Sequence, residues 1–178
     1  GIRALVGGSW GFAATRDLTR DSVTATARQA AAIAAGNDRI NPVKTTLAPV
    51  TKVPDGRWIT PHEIDPFTIP IERKAELLFK TNEEALRVKG VRFVTSSINS
   101  IRDSRLLGTT EGSLIQQTFL RMAPGVNITA VSGDNSDFQT RNAVLAPRSA
   151  GWEYIVGLQM DENVLRWAEE AAAKLTAT

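Results

Sequence analysis

The stretch VRFVTSSINSIRDSRLLGTTEGSLIQQTFLRMAPGVNITAVSGDNSDFQTRNAVLA, residues 91–146, decides the fold. β-Branched and apolar residues recur through it in short runs, each bounded by turn-forming residues. Candidate strands fall at 91–101, 105–110, 113–122, 127–132 and 138–145. The breaks hold Asp103-Ser104, Glu111-Gly112, Pro124-Gly125 and Gly133-Asp134-Asn135. Breaks this short favour an antiparallel meander over helical crossovers. The run at 113–122 carries Leu114, Ile115, Phe119, Leu120 and Met122 and reads as a central strand.

Helical patterns flank this region. After it, Asp161 can cap a helix whose Val164, Ala168, Ala171 or Ala172 and Leu175 line one side. Before it, residues 71–89 read as helix, with Ala75, Leu78 and Phe79 on one face. Thr81 with Glu84 has the spacing of a capping box, so a second helix can start there, and Gly90 ends the segment. Residues 37–70 contain six of the eight prolines and read as an extended connection with room for short edge strands. At the N-terminus, 2–6 and 9–14 form a hairpin around Gly7-Gly8, with Trp10 and Phe12 on one face. Thr19 is a helix N-cap with Asp21 in the first turn; Val23, Ala27, Ala30 and Ala34 follow helical spacing, and Gly36-Asn37 reads as a stop. Strands and helices are segregated along the chain. The fold class is therefore α+β: an antiparallel β-meander with an N-terminal β-hairpin and three or four packing helices, taken as one domain over 1–178.

Composition narrows the function classes. The 178 residues are 42% hydrophobic and 22% charged, ordinary values for a globular chain. No cysteine is present, which removes disulfides, thiolate zinc sites and cysteine nucleophiles and fits a reducing compartment. Net charge is +2 and the pI about 9.2, but Lys and Arg are dispersed, which disfavours nucleic-acid binding. No apolar run approaches the roughly 20 residues that span a bilayer, and no signal peptide is visible.

Motifs with chemistry are sparse. His62, the single histidine, opens His62-Glu63-Ile64-Asp65-Pro66. A zincin helix needs a second histidine one turn later, where Pro66 stands, so His62 reads as a loop residue. Gly7-Gly8-Ser9-Trp10-Gly11 lacks the Lys-Ser or Lys-Thr ending of a phosphate loop. Asp134 and Asp137 flank Asn135-Ser136 and read as turn residues. Trp10, Trp58, Trp152 and Trp167 read as core or rim packing, with Trp152-Glu153-Tyr154 anchoring the last helix. Glu111-Gly112-Ser113 has two readings: a tight hairpin with Gly112 at positive φ, or a turn that also borders a substrate site.

Five segments in order resemble the N-terminal domain of the TldD/PmbA family, once called modulators of DNA gyrase. Arg3-Ala4-Leu5-Val6 with Gly8-Ser9-Trp10-Gly11-Phe12-Ala13 is similar to its R-x-L-x-x-G-x-W-G-F-A hairpin. Asp17-Leu18-Thr19 and an Ala-rich helix follow. Asp65-Pro66-Phe67 resembles its DPF, Thr110-Glu111-Gly112-Ser113 its S-E-G-S turn with Thr for Ser, and Gly151-Trp152-Glu153-Tyr154 its G-W-E-Y.

The resemblance implies a cytoplasmic zinc metallopeptidase of the TldD branch, acting on unfolded peptides in peptide maturation, or a domain of the non-catalytic PmbA/TldE-like partner subunit. A nucleic-acid-binding domain is a distant alternative. In the family, zinc sits on an HExxxH-type helix of a C-terminal domain expected just beyond Thr178, so no metal or cofactor is expected in this chain, and no catalytic residue is carried over. The family's first strand and helix would precede Gly1. The expected role is enclosure of the peptidase chamber and subunit pairing. Implied partners are the chain's own C-terminal peptidase domain, a homo- or heterodimeric TldD/PmbA-type subunit and unfolded peptides, with no membrane. Glu111, Gly112 and Ser113 are the candidate substrate-binding residues.

Overall fold

A computed structural model describes residues 1–176. The chain, read above as one domain, groups into two compact units, Gly1–Thr51 and Lys52–Thr178.

In the first unit, strands β1 (Ile2–Val6) and β2 (Ser9–Ala13) pair antiparallel around Gly7-Gly8, and helix α1 (Arg20–Ile40) packs on them. Thr19 caps α1, its hydroxyl accepting from the Ser22 N–H. Small residues let helix and hairpin approach closely: Ala30 and Ala34 are buried, as are Ser9 and Ala13, while Trp10 and Phe12 share the exposed face. Thr26, not Val23, completes the buried stripe. The expected stop at Gly36-Asn37 does not occur. Asn37 instead donates its side-chain amide to the Trp10 carbonyl at 2.9 Å, and its own carbonyl accepts from the Asn41 N–H. These anchors outweigh the roughly 1 kcal/mol that glycine costs inside a helix.

The second unit is a mixed sheet covered on one face by helices, so the α+β assignment stands. β3 (Gly56–Ile59) lies in the Pro-rich connection and runs parallel to β5 (Leu114–Val131). β4 (Val91–Gly108) and β6 (Phe138–Asn142) pair antiparallel to β5. The expected breaks at Asp103-Ser104 and Pro124-Gly125 are absent, and β4 and β5 form one long hairpin. Side chains satisfy the would-be turn residues along the strand: Asp103 pairs with Arg105 at 2.6 Å, and the Ser104 and Thr118 hydroxyls lie 3.3 Å apart. Pro124 is tolerated because of register. Met122 exchanges both backbone hydrogen bonds with Arg148, on the side away from β4, and the Val126 carbonyl accepts from Ala143. Backbone direction alternates along a strand, so Pro124 also faces that side and costs the β4–β5 ladder nothing.

α2 (Ile71–Leu86), α3 (Trp152–Gly157) and α4 (Met160–Ala173) cover the sheet. Met122, Val126, Ile128 and Ala130 alternate toward Ile155, Met160, Val164, Trp167 and Ala171, forming the core, and Leu120 is buried on the same side of the strand. α2 is one helix without a second start. The Thr81 hydroxyl donates back to the Leu77 carbonyl at 2.8 Å, which leaves it no capping role, and Glu84 turns to Arg87. The inner face of α2 is Leu77, Leu78, Thr81 and Ala85, whereas Phe79 is 66% exposed.

Candidate functional site

Two of the motif segments, Asp65-Pro66-Phe67 and Gly151-Trp152-Glu153-Tyr154, meet at one corner of the second unit. β3 is prolonged by Thr60, whose N–H donates to the Thr118 carbonyl at 2.9 Å and whose buried hydroxyl accepts from Leu120 N–H at 3.0 Å. His62 follows, with Nδ1 2.7 Å from the Thr60 carbonyl. The chain then turns at Asp65-Pro66-Phe67. The Asp65 carboxylate accepts from Phe67 N–H at 2.9 Å and pairs with Arg102 of β4, while the Arg102 guanidinium lies 4.4 Å from the centre of the Phe67 ring. The Phe67 N–H bond, with Arg102 adding to it, outweighs the cost of burial and holds the Asp65 carboxyl below the usual carboxylate range.

Gly151-Trp152-Glu153 stitches the start of α3 to this turn. Trp152 N–H donates to the Ile64 carbonyl at 2.8 Å, and the Glu153 carboxylate accepts from Ile64 N–H at 3.0 Å and Gly151 N–H at 2.8 Å. A side chain at Gly151 would meet the Ile64 carbonyl, the Glu153 carboxylate and His62 Cβ, so glycine is required there. Burial works to raise the Glu153 carboxyl, but the backbone donors outweigh it and hold it low. Asp65 and Glu153 are thus ionised at neutral pH with their oxygens occupied. Neither has a proton to give as a general acid.

Glu111, Gly112 and Ser113 are not part of this corner; they form the tip of the β4–β5 hairpin. Gly112 N–H donates to the Thr109 carbonyl at 3.1 Å, and Gly112 has φ of 97°, so the hairpin reading of this glycine agrees with the geometry. Ser113 Oγ accepts from Val53 N–H at 3.1 Å, and Leu114 N–H donates to the Val53 carbonyl, tying the tip to the segment that leads into β3. Glu111 is exposed and makes no hydrogen bond among the described residues. Gly112→Ala should destabilise the second unit by about 1 kcal/mol, because alanine resists this φ, while Glu111→Gln leaves stability nearly unchanged. Urea denaturation of the two variants checks both.

The other sequence candidates are structural. Asp134 accepts from the Ser132 and Ser136 hydroxyls at 2.7 and 2.8 Å, which lower its pKa to about 2 and build the turn before β6. Trp152 and Trp167 are in the core, and the Trp58 and Phe119 rings meet tilted at 50°, their centres 4.9 Å apart. Arg102, which joins β4 to the Asp65 turn, has no sequence signal, since arginine in a strand is usually a solvated residue. Among the described residues no group of three or more His, Cys, Asp or Glu could hold a metal ion. No helix among them is long and apolar enough to cross a membrane.

The fold is α+β, and the ionisable groups of this corner hold backbone segments together. Residues 1–34 match the family model described as PmbA/TldA metallopeptidase domain 1, and residues 64–178 match that described as PmbA/TldA metallopeptidase central domain. The chain belongs to the PmbA/TldD metallopeptidase family. A comparison with curated proteins returned no match.

Proposed function

We propose that this chain forms the substrate-enclosing and subunit-pairing region of a TldD-like zinc peptidase acting on unfolded peptides, and that hydrolysis belongs to a separate C-terminal zinc domain. One observation carries the reading beyond family membership: the long outer edge of β4. β5 is the central strand, with β4 on one side and β3 and β6 on the other. Met122 and Thr118 turn their backbone groups away from β4, and they stand opposite Ser100 and Ser104. Val94, Ser96, Ile98, Ser100, Arg102, Ser104 and Leu106 therefore direct N–H and C=O outward, with no backbone partner among the described residues. An extended peptide can add to such an edge through main-chain hydrogen bonds, largely independent of its sequence. That suits a chamber for unfolded chains.

The half nearer α2, from Val94 to Ile98, is assigned to substrate. Fluorescence anisotropy of a labelled unstructured polypeptide tests this. Binding is expected for the chain and should fall at least about tenfold for Ser96→Pro, which removes an outward donor while leaving the β4–β5 bonds in place. A thermal melt verifies that the variant folds. Equal binding by both proteins, or none by either, contradicts the proposal.

A further inference from the structure

Edge strands are normally blunted by lysine, proline, a bulge or a covering element, because a bare edge recruits other strands. β4 has one irregularity, between Val91 and Phe93, and contains neither Lys nor Pro. Its distal half also projects apolar side chains: Ile101 is 51% and Leu107 55% exposed, on the same face of the strand. The charges there do not repel a second strand. Arg102 is drawn down to Asp65 and Phe67, and Arg105 is paired with Asp103.

We propose that residues 100–108 of β4 pair antiparallel with the same residues of a second copy of this chain, about a two-fold axis at Ser104. The proposal rests on the subunit-pairing half of the reading above and adds the surface and the register. Three requirements select that register. A two-fold antiparallel pair matches residues whose numbers have a constant sum, and matched residues must lie on the same face. Among the charged residues of β4 (Arg92, Arg102, Asp103 and Arg105), Asp103 with Arg105 is the single opposite-charge combination on one face. Pairing them places Ser104 on the axis, sets Ile101 against Leu107 of the copy, and sets Ser100 against Gly108. The two Asp103–Arg105 pairs then form a square of alternating charge. Axes at Asp103, Arg105 or Arg102 would each put like charges face to face. The outward backbone groups at Ser100, Arg102, Ser104, Leu106 and Gly108 fall in register, supplying about ten inter-chain hydrogen bonds. By the same sum Thr110 of the copy's hairpin tip falls opposite Ile98, so Val94 and Ser96 stay clear of the copy and that end of the peptide edge remains open.

The test combines sedimentation velocity, charge exchange and cross-linking on the 178-residue chain. The wild type should show a concentration-dependent dimer. Asp103→Arg alone should raise the dimer Kd by about a hundredfold through like-charge contact, and Asp103→Arg with Arg105→Asp should restore it. The chain has no cysteine, so Ser104→Cys introduces a lone thiol. Residues opposed in a hydrogen-bonded pair have Cα atoms about 5.5 Å apart, within disulfide reach, and mild oxidation should give a covalent dimer. Ser100→Cys would place its two copies about 26 Å apart and should not cross-link. A monomer at every concentration overturns the inference, as does a dimer that ignores the charge exchange or cross-links equally through Ser100→Cys. Polypeptide binding that persists in such cases leaves the substrate reading intact.

Discussion

Gly11→Ala is expected to destabilise the first unit by about 3 kcal/mol, the upper end of ordinary overpacking. Gly11 sits in β2 where the hairpin presses on α1. A Cβ there would run into the Ala30 carbonyl and the Ala34 amide nitrogen, which are helix backbone and cannot rotate away as a side chain would. Relief requires separating β2 from α1, and that uncovers Ala13, Ala30 and Ala34 together. The Asn37 bond to the Trp10 carbonyl, which helps α1 continue past Gly36, would be lost with them. Gly36→Ala is the control: nothing lies within 4 Å of a Cβ at Gly36, so alanine should be neutral or slightly stabilising. Amide exchange of α1 separates the two outcomes. Wild-type-like protection in Gly11→Ala would show that the approach is looser than described.

Glu153→Ala should cost the second unit about 2 kcal/mol, because it strands two backbone donors, Ile64 N–H and Gly151 N–H, that now bond to a charged acceptor. Glu153→Gln is not a rescue. The two donors use different carboxylate oxygens, and an amide would set its NH2 against one of them. The pH dependence carries a definite sign. Glu153 is held below its ordinary 4.5 in the folded state. Its contribution is therefore fully present above pH 4.5 and is lost as pH falls through the lower folded value. Asp65 acts in the same sense below its ordinary 3.8. Urea midpoints measured from neutral to acidic pH should fall for the wild type and fall less steeply for Glu153→Gln. Parallel curves would remove Glu153 from the account.

Element types were legible where local chemistry and tertiary packing agree. Thr19 caps α1, Gly112 takes positive φ, and all of the 113–122 run except Ser113 lies within the central strand, each as residue type and pattern imply. Legibility failed where distant contacts decide. Gly36 stays helical because Asn37 finds Trp10; Thr81 bonds backward instead of capping; Pro124 survives in a strand because its missing N–H falls on the side away from β4. Trp10 lies 27 residues from Asn37 and Arg148 26 from Met122, whereas Thr81 bonds only four residues back, a choice its residue type leaves open. The parallel pairing of β3 to β5 was hidden for the same reason, since four residues among prolines carry no signal of the strand they join. The corner was half legible. Asp65-Pro66-Phe67 and Gly151-Trp152-Glu153 stand out as motifs, but their meeting through Ile64 and the part played by Arg102 arise only in three dimensions. The candidate Glu111-Gly112-Ser113 turn is a hairpin tip fastened to Val53.

The most direct test of the central claim, that the outer edge of β4 receives extended chains, is residue-resolved amide exchange with and without a saturating unstructured polypeptide. Val94, Ser96 and Ile98 direct their amides outward and should exchange fast in the free chain, then slow on binding, while Thr95 and Ser97, bonded to β5, are protected throughout. Slowing confined to other elements, with Val94, Ser96 and Ile98 unchanged, would contradict the account.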